Sequence, residues 1–192
     1  MAQRRHHYEA AFEGYLRRQR IPYVAVDEAK KSLVPRPSAA AGGLGSLKSF
    51  DFVLYGQGSN LLAEVKGRRV ASPRRLERWV TLDDVESLRA WESLFGPQFE
   101  ACYIFMYLHE TQPADALFEE LFDHEGRWYA LRAVSVRRYQ AAMRVRSERW
   151  RTVDLEPRVF ERLSEPFSAR SLGGCGDAPP ALLPLAVERR RP

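Results

Sequence analysis

Residues 50–69 read Phe50-Asp51-Phe52-Val53-Leu54-Tyr55, a turn of Gly56-Gln57-Gly58-Ser59-Asn60, then Leu61-Leu62-Ala63-Glu64-Val65-Lys66-Gly67-Arg68-Arg69. Two apolar runs joined by a short polar turn predict a β-hairpin. Side chains alternate across a strand, so Glu64 and Lys66 share one face while Leu61, Ala63 and Val65 share the other. The interval from Asp51 to Glu64 covers one strand, the turn and most of the next strand. A suitable pairing register therefore sets the two carboxylates side by side. Two carboxylates and an ammonium on a half-buried sheet are costly unless something such as a divalent cation compensates them. The hairpin thus marks both a fold and a candidate chemistry.

On its N-terminal side, Tyr8, Phe12, Tyr15 and Leu16 recur at helical spacing, predicting an amphipathic helix over 5–20. Ile21–Val26 reads as a strand, with Pro22 near its start where a missing N–H is tolerated. A short helical turn is expected over Asp27–Leu33, and a Pro/Ser/Ala/Gly-rich flexible loop from Val34 to Ser46. After the hairpin comes a basic loop with Arg68, Arg69, Arg74, Arg75 and Arg78. Thr81-Leu82-Asp83-Asp84 has the form of a helix start, with Thr81 as N-cap and an acid three positions on. That helix should turn Val85, Leu88, Trp91 and Leu94 toward a core and stop at Gly96-Pro97. The nearly continuous apolar run Ala101–Leu108 predicts a strand buried on both faces.

Farther on, Leu117–Phe122 and Trp128–Val136 flank a turn-like His124-Glu125-Gly126-Arg127, favouring a second hairpin, although 117–122 also fits a short helix. Arg137–Arg146 reads as a helix with a basic face, and Val159–Leu163 as another short one. The expected organisation is one domain over 1–168, with a core at 5–110 and an extension at 111–168. Residues 169–192 combine Gly, Pro, Ala and a terminal Arg run, and are expected to form a disordered tail.

Composition narrows the function classes. A chain of 192 residues with 45% hydrophobic and 29% charged residues is that of a globular protein able to bury a core. No run approaches the ~20 apolar residues of a membrane span. Met1–His7 has no apolar stretch behind it, which argues against a secretory signal. Cys102 and Cys175 are the only cysteines, which disfavours a disulfide framework or zinc site and suits a cytoplasmic location. The net charge is +5, and 26 of the 30 basic residues are arginine, whose planar fork suits phosphate. Genomic base composition could produce the same bias.

An α-β-β-β-α-β order with an acidic helix ahead of the hairpin resembles the core of the PD-(D/E)xK nuclease superfamily, in its restriction-endonuclease-like and Holliday-junction-resolvase-like branch. The resemblance covers residues 6–108 and rests on Glu9, Asp51 and Glu64-Val65-Lys66. It implies an α/β (α+β) fold, a central mixed sheet flanked by helices, with those residues meeting around Mg²⁺, for which Mn²⁺ substitutes. Ser49-Phe50 precede Asp51 where the namesake motif has proline. No Gln-x-x-x-Tyr follows Lys66, which argues against the processive exonuclease branch.

The implied activity is metal-dependent hydrolysis of DNA phosphodiester bonds, by an endonuclease of repair, recombination or defence. A carboxylate-bound Mg²⁺ can activate water and stabilise developing charge, and needs only one or two carboxylates plus a carbonyl. Asp51 and Glu64 are the expected ligands, the Val65 carbonyl a third, and Lys66 would orient the attacking water or neutralise the phosphate. Gly67 permits a close backbone approach. Arg68, Arg69, Arg74, Arg75 and Arg78 would meet flanking phosphates of double-stranded or branched DNA. Glu13, one turn beyond Glu9, is the competing helix acid. A homodimer is expected by analogy.

Each residue also has a plainer reading. Glu64 and Lys66 suit a solvated charge pair, Asp51 a strand cap, His6 and His7 N-terminal surface, and Asp83 and Asp84 a helix N-terminus. The four tryptophans suit a core, with Trp79 the best candidate for base stacking. The arginine runs at 68–78 and 137–151 suit either a duplex backbone or a solvated surface. The alternative function is a catalytically weak nuclease-fold module that binds nucleic acid or a protein partner.

Overall fold

A computed structural model describes residues 3–26, 47–70, 76–110 and 120–168, with side chains described from His7 onward and, in the last stretch, from Leu121. The expected helical turn at Asp27–Leu33, the loop over Val34–Ser46, Arg74, Arg75, and the tail at 169–192 lie outside these residues.

The chain begins with α1 (Gln3–Arg18), whose Phe12, Tyr15 and Leu16 are buried at the anticipated spacing. β1 (Tyr23–Ala25) follows and pairs antiparallel with β2 (Phe52–Leu54). β2 pairs antiparallel with β3 (Asn60–Arg69) in the register Phe52↔Ala63, which forms the predicted hairpin. A short β4 (Val80–Thr81) leads into α2 (Leu82–Phe95), and α2 returns the chain to β5 (Phe99–His109), parallel to β3. The α-β-β-β-α-β order is therefore present, with β4 as an addition.

β6 (Glu120–His124) and β7 (Arg127–Ser135) form the second expected hairpin. Its two-residue turn has φ 51° at Glu125 and 72° at Gly126, the left-handed pair that suits the twist of a tight hairpin. β7 also pairs antiparallel with β5, and the far edge of β7 is shared between β6 and the terminal β10 (Glu165–Pro166). The main sheet runs β1-β2-β3-β5-β7-β10, with β6 on β7.

Helices cover both faces of this mixed sheet. α1 seals one side, with Phe52, Ala63, Cys102, Ile104 and Met106 beneath it. The other side carries Leu62, Tyr103 and Phe105 beneath α2, α3 (Val136–Ala142) and α4 (Pro157–Leu163). β5 is buried on both faces, as its unbroken apolar run predicts.

The stretch 137–146 departs from expectation. Its helix ends at Ala142, and the chain enters β8 (Arg144–Ser147), which pairs with β9 (Thr152–Asp154). β9 in turn pairs with β4, giving a separate three-stranded sheet. Val136 and Tyr139 are the buried residues of that helix, whereas Arg144, Val145 and Arg146 beyond it are exposed. In α2, Val85 and Leu88 are buried as expected, whereas Leu94 is largely exposed beside the helix end.

Candidate active site

Asp51 stands one residue ahead of β2, close enough to Glu64 for its charge to raise that carboxyl. Its amide donates to the Ala63 carbonyl at 3.0 Å. Its Oδ2 accepts the Val65 N–H at 2.7 Å. The carboxylate thus takes the place of a strand carbonyl where β2 ends and β3 runs on. In a strand, the N–H and C=O of one residue point to the same edge. The Val65 carbonyl therefore also faces the side that β2 has vacated.

Glu64 and Lys66 project toward the α2 side of β3, the face of Leu62 rather than that of Ala63. They are not a solvated pair. Lys66 is only 8% exposed, and its Nζ donates to Glu64 Oε1 at 2.8 Å and to Asp84 Oδ2 at 2.9 Å. Burial pushes the Glu64 carboxyl up, Asp51 and Asp84 push it further, and Lys66 opposes them, leaving it at about 7. Burial favours loss of the Lys66 proton, but the two facing carboxylates outweigh it and hold the ammonium above its ordinary range. For Asp84, burial pushes up, yet Lys66 and the Thr81 hydrogen bonds win and hold the carboxyl well below its usual range.

Asp84 does two jobs. As the expected helix start, Thr81 Oγ1 accepts the Asp84 N–H at 3.2 Å, and Asp84 Oδ2 accepts the Thr81 N–H at 3.1 Å. The same carboxylate also anchors Lys66 and, through Oδ1, accepts from Lys48 Nζ at 3.1 Å. Only the capping role was read from the sequence. Topology supplies the signal for the second: a helix connecting two parallel strands starts near the carboxyl end of the first, where Lys66 lies. Tyr103, register partner of Glu64 on β5, was also missed within its apolar run. Its buried hydroxyl has no hydrogen-bond partner among the described residues.

α1 approaches the site from the opposite face of the sheet. A Cβ at Gly67 would lie 2.2 Å from the Tyr8 ring, so the close approach that this glycine permits is that of α1 itself. Glu9, beside Tyr8, is half-buried. Glu13 accepts hydrogen bonds from Arg17 at 2.6 Å and from the Tyr23 hydroxyl at 2.7 Å, which engages it at the sheet edge. The His7 ring lies 4.0 Å from that of Tyr8, while the His6 side chain is outside the described set.

The arginine set divides. Arg68 is half-buried, donates to the Gly67 and Trp79 carbonyls at 3.0 and 2.6 Å, and lies 4.5 Å from the Trp79 ring. Its Nε is 3.7 Å from Glu77, beyond hydrogen-bond range. Burial holds its pKa below the ordinary arginine value. Arg78 donates to the Leu76 and Leu155 carbonyls. These two guanidinium groups clamp main chain instead of facing outward. Arg69 is exposed and pairs with Glu110. Trp79 lies against both Arg68 and Arg146, with the latter 5.0 Å from the ring, so it is no open stacking platform. Trp150, expected in the core, is 68% exposed.

Two carboxylates and a main-chain carbonyl are all hard oxygen, the chemistry Mg²⁺ accepts. Among the described residues no group of three or more His, Cys, Asp or Glu is arranged to hold a metal ion. The two carboxylates match the number Mg²⁺ uses when waters and substrate phosphates complete its shell. Among those residues, too, no helix is long and apolar enough to cross a membrane.

The element order, the mixed sheet and its helical layers define an α+β fold with the expected α-β-β-β-α-β order, with Asp51 and Glu64-Val65-Lys66 at the point where β2 leaves β3. No protein-family model matches the chain, and no curated protein matches it. Among solved structures, it is similar to Hjc, a Holliday junction resolvase from the archaeal hyperthermophile Archaeoglobus fulgidus, at 17% identity and a TM-score of 0.46, over 81% of this chain and 90% of that one.

Proposed function

We propose that this protein is a metal-dependent nuclease hydrolysing DNA phosphodiester bonds, an endonuclease of repair, recombination or defence. The observation that carries the reading is the buried Glu64–Lys66–Asp84 cluster, set beside Asp51 on adjoining strands. Asp51, Glu64 and the Val65 carbonyl would hold Mg²⁺, or Mn²⁺ in its place. When bound, the ion lowers the pKa of a water and neutralises charge on the phosphate. Lys66, kept protonated by its two carboxylate partners, serves as a donor and positive charge toward the attacking water or scissile phosphate, not as a base. Asp84 fixes where that ammonium sits, and Glu9 on α1 is the further acid proposed for the reaction. Arg69 meets a flanking phosphate, as do Arg74 and Arg75. A homodimer would match a two-fold branched substrate, and a cytoplasmic location suits a DNA substrate.

Plasmid and four-way-junction DNA incubated with the protein should be cut in Mg²⁺ or Mn²⁺. Cutting should stop in chelator and in the Asp51→Ala and Lys66→Ala proteins. Persistent cleavage by both variants would remove the assignment. One observation favours the binding-module reading instead: Val65 N–H and Lys66 already compensate much of the carboxylate charge. Salt-sensitive DNA affinity with no divalent-dependent turnover is the outcome that would select it.

A further inference from the structure

The hairpin formed by β8 and β9 has a composition unlike the rest of the small sheet. Residues 144–154 carry four arginines against Glu148 and Asp154. Two of the arginines are committed: Arg144 to Asp154 and Glu156, and Arg151 to Asp83 and Glu86. The other two, Arg146 and Arg149, are exposed and have no acidic partner among the described residues. Arg149 lies 5.2 Å from the ring of the exposed Trp150.

The backbone holds these groups in place. The register passes from Val145↔Val153 to Ser147↔Thr152, so Arg146 is the extra residue of a β-bulge. A bulge re-aims a side chain, and here Arg146 is turned onto Trp79. Its guanidinium edge can still donate while its face stacks. At the tip, Arg151 N–H donates to the Glu148 carbonyl at 3.1 Å with Arg151 at φ 46°, a closed turn that displays Trp150. The turn end of the hairpin is fastened beside the Glu64–Lys66–Asp84 cluster. Thr152 pairs with Thr81, the N-cap of the helix whose Asp84 holds Lys66, and Leu82 N–H donates to the Arg151 carbonyl at 2.8 Å.

We infer that the β8–β9 hairpin is a DNA-binding arm, in which Trp150 stacks on a base and Arg146 and Arg149 contact phosphates flanking the scissile bond. The inference rests on the nuclease reading for the position of that bond, but not for the binding itself. Charge selects the occupant: exposed cations beside an exposed indole complement a polyanion of stacked aromatic bases.

The test uses the full chain in chelator, where no divalent-dependent cutting occurs. Fluorescein-labelled single-stranded, duplex and four-way-junction DNA are titrated at several salt concentrations. Trp150→Ala should weaken binding about tenfold. Arg149→Gln should lower affinity evenly across sequences and reduce the log–log salt slope by about 1, and adding Arg146→Gln by about 1 more. Thermal melting checks folding; should Arg146→Gln loosen the Trp79 stack, the turn variants at 149 and 150 decide alone. Unchanged affinity and salt slope in both turn variants overturn the inference, as does absence of DNA binding by the unaltered protein. Loss of self-association without loss of DNA affinity overturns it in favour of a protein contact. Divalent-dependent cleavage by the unaltered protein with normal binding by Trp150→Ala removes the arm and leaves the nuclease. Hairpin-dependent binding without any cleavage removes the nuclease and leaves the arm.

Discussion

The two faces of β3 are separated by one strand thickness and governed by opposite physics. Toward α1 the strand presents Leu61, Ala63 and Val65, ending at Gly67 under the Tyr8 ring. Burial there is favourable residue by residue and limited only by space. Toward α2 it presents Leu62, then Glu64 and Lys66 in a site almost as dry. Burial there is unfavourable for each charge taken singly and tolerable only for the set. An apolar face degrades gradually when one member is lost, whereas a charged face is expected to fail sharply and to answer to pH. That contrast can be broken or sharpened by substitution.

The largest effect belongs to Lys66. Lys66→Ala leaves Glu64 and Asp84 facing each other and should cost about 3–5 kcal/mol in denaturant unfolding at pH 8, as for a buried pair broken from one side. A loss no larger than that of an apolar truncation on the α1 face would show the two faces to be alike.

Next comes the pH response of Glu64. Its folded value of about 7 lies above the ordinary 4.5, so the folded state holds its proton more tightly than the unfolded chain. Its contribution to stability is complete below pH 4.5 and is lost as pH rises through 7. Asp84, held low, acts in the opposite sense: its contribution is present above the ordinary carboxylate range and lost on acidification. Glu64→Gln should therefore flatten the decline between pH 4.5 and 7 and raise stability at pH 8 by about 1–3 kcal/mol, read from urea midpoints across that range. An unchanged pH profile would show that Glu64 titrates normally.

On the apolar face, Gly67→Ala drives a Cβ into the Tyr8 ring and should cost about 1–3 kcal/mol, with little dependence on pH. Trimming the ring with Tyr8→Ala should recover part of that loss in a double-mutant cycle. Additive costs would mean the two residues do not meet.

The smallest effect separates the two duties of Asp84. Thr81→Ala removes the cap and should cost about 1 kcal/mol while leaving the Lys66 pair. Asp84→Asn keeps an acceptor for the Thr81 N–H but removes the charge, so Lys66 should become more reactive toward an amine reagent. Lysine occurs at four positions only, which makes that labelling readable by mass spectrometry.

Local patterns made the hairpins, α1, α2 with its Thr81 cap and the double-buried β5 legible, because strand alternation, helical spacing and capping chemistry act over a few residues. The same reasoning allowed Asp51 to come beside Glu64 only if the pairing register permitted it, and the alternation of 61–66 does not by itself fix that register. That reasoning found the helix after β7 but ran it four residues too far, to Arg146 where β8 has begun, and it put Trp150 in the core on residue type alone. Arg68 and Arg78 looked like phosphate ligands because charge is visible in a sequence, while the carbonyls that hold them are contributed by Gly67, Trp79, Leu76 and Leu155. No pattern within either segment announces those contacts.

The sequence by itself determined the element order of the core and the apolar faces, consequences of short-range periodicity, and left the approach of Asp51 to Glu64 conditional on the register. Tertiary structure alone decided that Glu64 and Lys66 are buried, that Asp84 closes their cluster from α2, and that the β8–β9 hairpin is tied to the same helix end. Those outcomes depend on which surfaces meet after the chain crosses over from β3 to β5, and the free energy of a buried charge is a property of that meeting, not of the residue.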